Sequence, residues 1–185
     1  MARALKKDAT YADLCAVPDN FVAEILDGEL YASPRPALPH GHAAGALLIE
    51  LGGPFQKGVF GPGGWVFHPE PELHFGVDVV VPDIAGWRRE RMPTVPAAAY
   101  FTLAPDWLCE VLSPSTKTID RRKKLPIYAR AGIRHVWLVD PLKQTLEVLR
   151  LESQCWSLVA DYEGKATVRA EPFDAIEVPL PPLWE

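Results

Sequence analysis

The stretch WLCEVLSPSTKTIDRRKKLPIYARAG, residues 107–132, sets the architecture of the chain. Its first part, Trp107 to Leu112, is too continuously apolar for one side of a strand to face water, which predicts a central strand of a sheet. Lys117 to Ala131 then has the spacing of a helix with one apolar side. Pro126 lies inside that pattern, where a proline costs ~3 kcal/mol, so the helix either begins around residues 122–124 or is kinked at the proline.

The segments on either side alternate between strand and helix patterns. Residues 21–32 predict a hairpin around the turn dipeptide Asp27-Gly28, and a proline-rich loop follows from Ser33 to Pro39. Residues 40–51 have helical spacing, which Gly52-Gly53-Pro54 stops or breaks. Further strands are predicted at Trp65–Phe67, Leu73–Phe75, Val77–Trp87, Val136–Val139, Thr145–Leu151 and Trp156–Tyr162. This order indicates an α/β to α+β fold, in which a mixed central β-sheet is flanked by helices and extended by antiparallel strands.

The chain is interpreted as one domain spanning residues 1–185, because its length suits a single core and no boundary is evident. A capping box at Thr10 opens a short helix, which together with the hairpin covers residues 10–32. The core covers residues 40–141, and antiparallel strands with a tail cover residues 143–185. The proline-rich tail is expected to pack through Leu183 and Trp184. The tryptophans and Tyr100-Phe101 are expected in the core or in dimer contacts.

The composition narrows the functional class. The net charge of -5 argues against a general nucleic-acid coating protein, but it does not exclude an enzyme with a locally basic groove. Cys15, Cys109 and Cys155 are far apart, which predicts reduced, mostly buried thiols in a cytoplasmic protein rather than disulfides or a zinc site. No signal peptide is expected, and no apolar run approaches the ~18 residues that indicate a membrane-spanning helix.

Three separated residues carry the chemistry. Asp83 follows the apolar run at Val79–Val81, Glu110 lies within a second apolar run, and Lys124 lies in a basic stretch. Two carboxylates at the ends of neighbouring strands can hold a hard divalent cation, with the backbone carbonyl of Val111 as a third oxygen ligand. A nearby ammonium can position a water and neutralise developing charge. The set predicts metal-dependent cleavage of a phosphodiester, with Mg²⁺ as the ion and Mn²⁺ as a substitute.

The choice of lysine depends on the phase of the helix. Asp120, Lys124 and Tyr128 recur every four residues, so they share one helix face that can turn a lysine and a tyrosine towards the cleft. Lys124 is therefore the preferred ammonium. Lys123 is the rival, because Pro126 leaves the helix phase open at this point.

Other interpretations compete with this site. Both carboxylates also have a structural explanation, in which Asp83 ends a strand in a turn and Glu110 forms an ordinary ion pair. An unpaired buried charge is costly, which favours the functional interpretation of Glu110. Alternate residues of an ideal strand face the same side, so His68, Glu70, Glu72 and His74 would share one face there. This arrangement would form a competing site for a transition metal. Prolines at 69 and 71 alternate with these residues and break a regular ladder. Glu72 is instead predicted as an accessory acid of the cleft.

Several blocks of sequence carry a resemblance to a known family. They are ILDGEL at 25–30, SP at 33–34 followed by His40, VPD at 81–83, PD at 105–106, EVLSPST at 110–116, the spaced residues from Asp120 to Gly132, and VWLVDP at 136–141. From about residue 24 to about residue 150 the chain resembles the Uma family, a bacterial family of restriction-endonuclease-like domains in the PD-(D/E)XK nuclease superfamily. The EVLSPST block with its downstream Asp, Lys and Tyr is specific, whereas Pro82-Asp83 alone is weak.

The resemblance implies a restriction-endonuclease-like core and magnesium-dependent cleavage of DNA. Asp83 matches the motif aspartate and Glu110 the motif acid. The usual motif lysine, two residues after Glu110, is replaced by Leu112. The catalytic ammonium must then come from the helix, where Lys124 matches the lysine that this family carries.

The resemblance also implies two accessory residues. Glu24 matches an acidic residue on the first element of such folds, where it is expected to hold a water of the metal. His40 matches the family's histidine and is expected to contact phosphate or to act near the cleft, whereas His42 is as readily an ordinary residue at the start of a helix.

The basic helix is the expected contact for DNA phosphates, through Lys117, Arg121, Arg122 and Lys123. Alternatively, these residues form an ordinary solvated helix face. Arg88, Arg89 and Arg91 likewise are either contacts for the DNA backbone or solvated surface residues. A homodimer is expected, because two sites related by a two-fold axis are the simplest way to cut two strands. Leu112 and the acidic net charge favour a different outcome, a weak or inactive module of the same fold that binds nucleic acid or a protein partner.

Overall fold

The apolar stretches form the strands of two main sheets. A computed structural model describes residues 4–35 and 37–185; residues 1–3, and Pro36 within the predicted loop, lie outside the described residues. The strands are β1 Phe21–Leu26, β2 Glu29–Pro34, β3 Trp65–Pro69, β4 Leu73–Phe75, β5 Asp78–Val80, β6 Ile84–Arg88, β7 Trp107–Val111, β8 His135–Asp140, β9 Thr145–Glu152, β10 Cys155–Glu163, β11 Thr167–Val168 and β12 Val178–Pro179. The helices are α1 Tyr11–Cys15, α2 Leu38–Leu51, α3 Lys117–Ile119 and α4 Leu125–Arg130.

The sheets have a mixed topology. The six-stranded sheet has the order β10-β9-β8-β7-β6-β3, and the four-stranded sheet has the order β2-β1-β5-β4. β7 and β8 pair in parallel, and the other pairs within these two sheets are antiparallel. The predicted mixed sheet with helices and additional antiparallel strands is therefore confirmed. β11 and β12 form a small separate ribbon that the sequence patterns did not predict.

The hairpin and α1 have the predicted local signals. Asp27-Gly28 turns β1 into β2, with positive φ at both residues. Thr10 and Asp13 exchange both hydrogen bonds of a capping box at the start of α1. These elements depend on neighbouring residues alone, which explains why they are readable from the sequence.

The region Val77–Trp87 is two strands rather than one, which corrects the sequence prediction. β5 belongs to the four-stranded sheet and β6 to the six-stranded sheet. Pro82 and Asp83 lie between them, and proline cannot donate a ladder hydrogen bond. The chain therefore passes from one sheet to the other at Asp83.

The helical segment after β7 begins at Lys117, so it is not shortened to start near residues 122–124. A π-helical turn, Asp120–Lys124, joins α3 to α4, and the Leu125 N–H donates to the carbonyl of Asp120, five residues earlier. The widened turn lies directly before Pro126, which lacks an N–H for the ladder. A π-helical segment also continues α2 from Gly52 to Lys57, so Gly52-Gly53-Pro54 does not stop the helix there.

Both faces of the central strands of the six-stranded sheet are buried. Trp107, Cys109 and Val111 of β7 pack in one apolar cluster, whereas Leu108 packs in the other. Four tryptophans, Trp65, Trp87, Trp107 and Trp137, are fully buried, which confirms their core role. Tyr100 is partly exposed and Phe101 is buried. The burial on both faces explains why β7 lacks polar alternation.

The C-terminal tail closes one of these clusters. Leu183 is fully buried, Trp184 packs against the same cluster, and the Trp184 indole N–H donates to the carbonyl of Gly164 at 2.9 Å. The predicted packing of the tail is confirmed. The prediction of mostly buried thiols is wrong, because only Cys109 is buried while Cys15 and Cys155 are exposed.

Among residues 4–35 and 37–185, the helices are all too short or too polar to cross a membrane.

Candidate active site

Asp83 reaches the site because it lies at the crossing between the two sheets. Its Oδ2 accepts a hydrogen bond from the Val111 backbone N–H at 2.6 Å, which fixes the carboxylate at the end of β7. Its Oδ1 lies 3.3 Å from Nε2 of His40, in the first turn of α2. Asp83 is therefore oriented by one strand and one helix, and its side chain remains partly accessible.

Glu110 lies on β7 and is almost completely buried. Strand alternation turns it away from Cys109 and Val111 and towards the helix that follows β7. Its Oε1 accepts a hydrogen bond from the Tyr128 hydroxyl and lies 2.8 Å from Nζ of Lys124. Two residues of the predicted helix face therefore meet the predicted motif acid.

The Lys124 side chain extends from the π-helical turn towards the four-stranded sheet and is buried. Its Nζ lies 2.8 Å from Oε1 of Glu110, 3.0 Å from Oε1 of Glu24, 3.2 Å from the carbonyl oxygen of Val81 and 3.9 Å from Oδ1 of Asp120. The predicted accessory Glu24 is itself held by the Val81 N–H at 2.8 Å. Lys124, rather than Lys123, is the lysine that faces the carboxylates.

Lys123 points elsewhere. Its Nζ lies 3.5 Å from Glu29 and 3.8 Å from Asp27, near the hairpin turn of β1 and β2. The two adjacent lysines therefore occupy different surroundings, one buried in the site and one at the surface. The geometry favours Lys124 for the role that the sequence left open between them.

The electrostatics of the site reflect burial and an excess of acids. Burial raises the pKa of Glu110 well above its usual value, and the charge of Lys124 opposes this rise. Burial lowers the pKa of Lys124, but the charges of Glu110 and Glu24 outweigh it, so the pKa lies well above the usual range. Burial likewise raises the pKa of Asp120 to about 6. Lys124 therefore keeps its charge, whereas burial disfavours the charged forms of Glu110 and Asp120 around it.

His40 is the titratable base beside Asp83. Burial lowers its pKa, but the hydrogen bond and the charge of Asp83 outweigh burial and leave the pKa above its usual value. His40 also has a buried Nδ1 without a hydrogen-bond partner among the described residues. His42 is exposed and faces away, with Nε2 at 2.9 Å from the carbonyl oxygen of Pro182.

The candidate site is a cleft of about 340 Å³. Its polar and charged lining residues are Glu24, Ser33, Arg35, His40, Glu70, Asp83, Glu110, Ser113, Ser115, Thr116, Asp120 and Lys124. The sequence did not single out the hydroxyl group of Ser115 or the ion pair between Arg35 and Glu70 at 3.2 Å. The sequence places Asp120 on the helix face and in the family pattern but assigns it no role. No local pattern marks the Arg35–Glu70 contact, because its partners are 35 residues apart in the chain.

The donor set suits a hard cation. Asp83, Glu110 and Val111 all line the cleft, and oxygen is the donor that Mg²⁺ and Mn²⁺ accept. Within the described ranges, no three His, Cys, Asp or Glu side chains are arranged to hold a metal ion. A metal site here would therefore depend on the two carboxylates and a main-chain carbonyl.

The structure does not bring together the histidines and carboxylates of the competing transition-metal site. Glu72 accepts hydrogen bonds from the Tyr11 hydroxyl at 2.8 Å and pairs with His74 at 2.7 Å. Glu70 pairs with Arg35 at the cleft, while Nδ1 of His68 contacts the carbonyl of Pro69. The four residues do not share one strand face, because the prolines divide the stretch into β3 and β4, which lie in different sheets. Glu72 does not line the cleft and instead borders a neighbouring groove near α1.

The predicted basic surface is partly neutralised. Arg121 forms a two-pronged ion pair with Glu147, and Lys123 contacts Glu29 and Asp27. Lys117 and Arg122 are exposed and form no ion pair with the rest of the described chain. These two residues are the free cations of the helix that follows the cleft.

The arginines after β6 lie away from the cleft. Arg88 ends β6, whereas Asp83 precedes its first residue, so the strand separates them. Arg88 stacks over the Trp65 ring at 4.2 Å, Arg89 donates to the Trp65 carbonyl, and Arg91 pairs with Asp106 at 2.7 Å. These contacts identify structural roles for the three arginines.

Comparison with known proteins agrees with this architecture. The Uma2 family, described as "Putative restriction endonuclease", matches residues 8–181. A solved structure described as "a putative nuclease belonging to DUF820 from Anabaena variabilis ATCC 29413" is similar, with a TM-score of 0.74 and 22% identity over 95% of this chain and 97% of that chain. At this identity the likeness shows the fold. No curated protein gives a significant match. Because the family match spans most of its length, the chain belongs to the Uma2 family of restriction-endonuclease-like proteins.

Proposed function

We propose that the protein is a magnesium-dependent endonuclease that hydrolyses DNA phosphodiester bonds. The observation that carries this proposal is the meeting of Asp83, Glu110 and Lys124 in one cleft, although they come from different elements of the fold. The membership of a family described as restriction endonucleases supports the same reaction class. Mn²⁺ would replace Mg²⁺ because it accepts the same oxygen donors.

Each residue has a proposed role that follows from its contacts. Asp83, Glu110 and the carbonyl of Val111 would hold the ion, which when bound supplies Lewis-acid polarisation of the phosphoryl group and lowers the pKa of a water. His40 orients the Asp83 carboxylate from the other side, at 3.3 Å. Lys124 supplies a fixed positive charge next to the site of reaction.

The carboxylate of Glu110 needs support because it is buried. The Tyr128 hydroxyl donates to it, and Lys124 lies 2.8 Å away, so one oxygen of Glu110 has both a hydrogen-bond donor and an ion-pair partner. Glu24 contributes through Lys124 at 3.0 Å and would keep the ammonium in place. These contacts preorganise the acid before any substrate enters.

DNA is the proposed substrate, with Lys117 and Arg122 as contacts for its phosphates and Arg121 and Lys123 as weaker ones. A homodimer belongs to the same proposal, because two related active sites can cut two strands. So does a cytoplasmic location, where three thiols would remain reduced.

A specific observation favours a second function, which is a non-catalytic module that binds nucleic acid or a protein partner. The position two residues after Glu110 is Leu112, which is buried in the apolar core rather than facing the cleft. Two of the four predicted DNA-binding cations are already paired with carboxylates. The acidic net charge of -5 adds to this argument.

Calorimetric titration of Mg²⁺ and Mn²⁺, with plasmid nicking assayed on the same samples, separates these functions. The wild type is expected to bind the ion and nick plasmid, and the Asp83→Ala/Glu110→Ala variant to do neither, because both side-chain ligands are gone. Metal binding without nicking would favour the second function. No metal binding, even with DNA present, would contradict the nuclease.

The helix contacts give a further prediction. The Lys117→Ala/Arg122→Ala variant is expected to reduce the slope of log K against log salt by about 2 for DNA binding, because each phosphate contact contributes roughly 0.9. Fluorescence anisotropy with a labelled duplex in EDTA measures this slope without cleavage. The matched variant Arg121→Ala/Lys123→Ala should change it less, since both cations already have carboxylate partners. Equal slopes in the wild type and the first variant would remove these two residues from the DNA interface.

A further inference from the structure

The ammonium of Lys124 lies in a cage of oxygen atoms that resembles the shell of a bound cation. Three oxygens lie within 3.2 Å of Nζ, from Glu110, Glu24 and the carbonyl of Val81, and a fourth, from Asp120, lies at 3.9 Å. The contact with the Val81 carbonyl has hydrogen-bond geometry, and the contacts with Glu110 and Glu24 are ion pairs. The Lys124 side chain is almost completely buried, so these groups enclose its charge.

Three acidic side chains share one ammonium in this cage. Glu24, Glu110 and Asp120 are all buried, and each is within 4 Å of the same nitrogen. Asp120 is only 4% exposed, and its Oδ2 has no hydrogen-bond partner among the residues described. A buried carboxylate oxygen without a partner is costly, and a cation of higher charge would relieve that cost.

Glu110 connects this cage to the proposed metal position. One of its oxygens faces Lys124, and the residue also lines the cleft beside Asp83 and Val111. In two-metal sites of phosphodiester-cleaving enzymes, two cations lie about 3.5–4 Å apart and stabilise the two oxygens of one displacement. In this protein a positive charge that belongs to the chain lies beside Glu110.

We propose that the Lys124 ammonium fills the second of two adjoining cation positions that share Glu110, so that the wild type binds one divalent ion where a protein without this ammonium binds two. The count of one in the wild type rests on the proposed nuclease function, whereas the gain of one ion on removing the ammonium does not. Lys124 is then a positioning residue that acts through its charge and through Glu110 and Glu24.

The number of Mn²⁺ ions bound per chain tests this assignment. Lys124→Ala is expected to bind one more ion than the wild type in a calorimetric titration. Divalent ions take oxygen ligands at about 2.0–2.6 Å, so the carboxylates must rotate inwards once the ammonium no longer separates them. Two Mn²⁺ ions within about 4 Å also couple magnetically, which the electron paramagnetic resonance spectrum of the variant would show.

Matched variants give the test its controls. Lys123→Ala removes the neighbouring surface lysine and should bind the same number of ions as the wild type. Lys124→Arg keeps a positive charge in the cage and should gain no ion. Lys124→Ala/Glu24→Gln removes one cage ligand and should lose the ion that Lys124→Ala gains.

The possible outcomes separate the second cation position from the metal-dependent nuclease function. An unchanged count in Lys124→Ala overturns the second cation position and leaves the nuclease proposal intact. A count of none in the wild type and one in the variant supports the second position and overturns the metal-dependent nuclease. Two ions in the wild type overturn the assignment without any variant, which keeps it testable if Lys124→Ala folds poorly. If Lys124→Ala folds only when Mn²⁺ is added, the ion has replaced the ammonium, and the assignment is supported.

Discussion

Asp83→Asn is expected to lower the rate of plasmid nicking by about 10²- to 10³-fold, because it removes one charge at the point where the transition state needs a cation. The substitution conserves size. An asparagine oxygen can still accept the hydrogen bond from the Val111 N–H, which Asp83 accepts at 2.6 Å. The loss of nicking would therefore report the charge of the carboxylate rather than a collapse of the crossing between the sheets.

A second measurement in the same variant checks that the expected contact is the one disturbed. Asp83 raises the pKa of His40, whereas burial lowers it. Without the carboxylate the pKa of His40 should fall, and titration of the imidazole resonances by nuclear magnetic resonance would follow this change. A lower His40 pKa with full nicking activity would show that the Asp83–His40 pair exists but has no part in the reaction.

Asp78→Asn provides the matched control. Asp78 is a buried aspartate on the neighbouring strand β5, where it accepts the Asp27 N–H at 2.6 Å and pairs with Arg130 at 3.1 Å. Its replacement also removes one buried carboxylate but leaves the cleft untouched. Nicking should stay near the wild-type rate in this variant. Equal losses in Asp78→Asn and Asp83→Asn would mean that the assay reports folding rather than chemistry.

Asp120→Asn is expected to raise the free energy of unfolding at pH 7–8 by about 3 kcal/mol, since one pKa unit corresponds to about 1.4 kcal/mol. Burial is the main cause, because it raises the pKa of Asp120 from 3.8 to about 6, and the nearby charge of Glu24 adds to the rise. The folded protein therefore contains an ionised carboxylate in a place that disfavours it. Asparagine resembles the protonated acid and does not carry that charge.

The pH dependence has a definite sign. Below about pH 4 the carboxyl group is protonated in both the folded and the unfolded chain, so the variant should gain nothing. Between about pH 4 and 6 the unfolded chain ionises while the folded chain resists, and the gain should grow. Above about pH 6 the gain should be constant. Urea unfolding of both proteins from pH 4 to 8 measures this curve.

Asp161→Asn controls for the change in net charge, because Asp161 is an exposed aspartate on β10. Its stability should follow that of the wild type at every pH. A gain in Asp120→Asn that did not depend on pH would assign it to packing rather than to ionisation. A loss of stability at pH 8 would show that the Asp120 carboxylate is a net favourable partner of Lys124.

The instability predicted for Asp120 agrees with the crowding of acids in this cleft. Glu24, Glu110 and Asp120 are buried around one ammonium, an arrangement that a purely structural core would avoid. Functional sites commonly keep such groups at a cost in stability. The arrangement is therefore an argument for function that is independent of the family resemblance.

Much of the fold was readable from the sequence because the relevant signals are local. Asp27-Gly28 specifies the hairpin turn, and Thr10 with Asp13 specifies the cap of α1. The apolar run of β7, interrupted only by Glu110, indicates a strand covered on both faces. The grouping of Lys124 with Tyr128 followed from helix periodicity, and it survives the π-helical turn because both side chains still reach Glu110.

The sequence by itself determined most of the elements and the candidate residues Asp83, Glu110 and Lys124, with Lys123 as a rival to Lys124. The tertiary structure alone decided that Pro82 separates two strands into different sheets, that Glu24 reaches Lys124, and that Arg121 is neutralised by a distant glutamate. The physical reason is the range of the interactions. Turns, caps and apolar periodicity depend on residues a few positions apart, whereas ion pairs and sheet crossings depend on how distant segments pack.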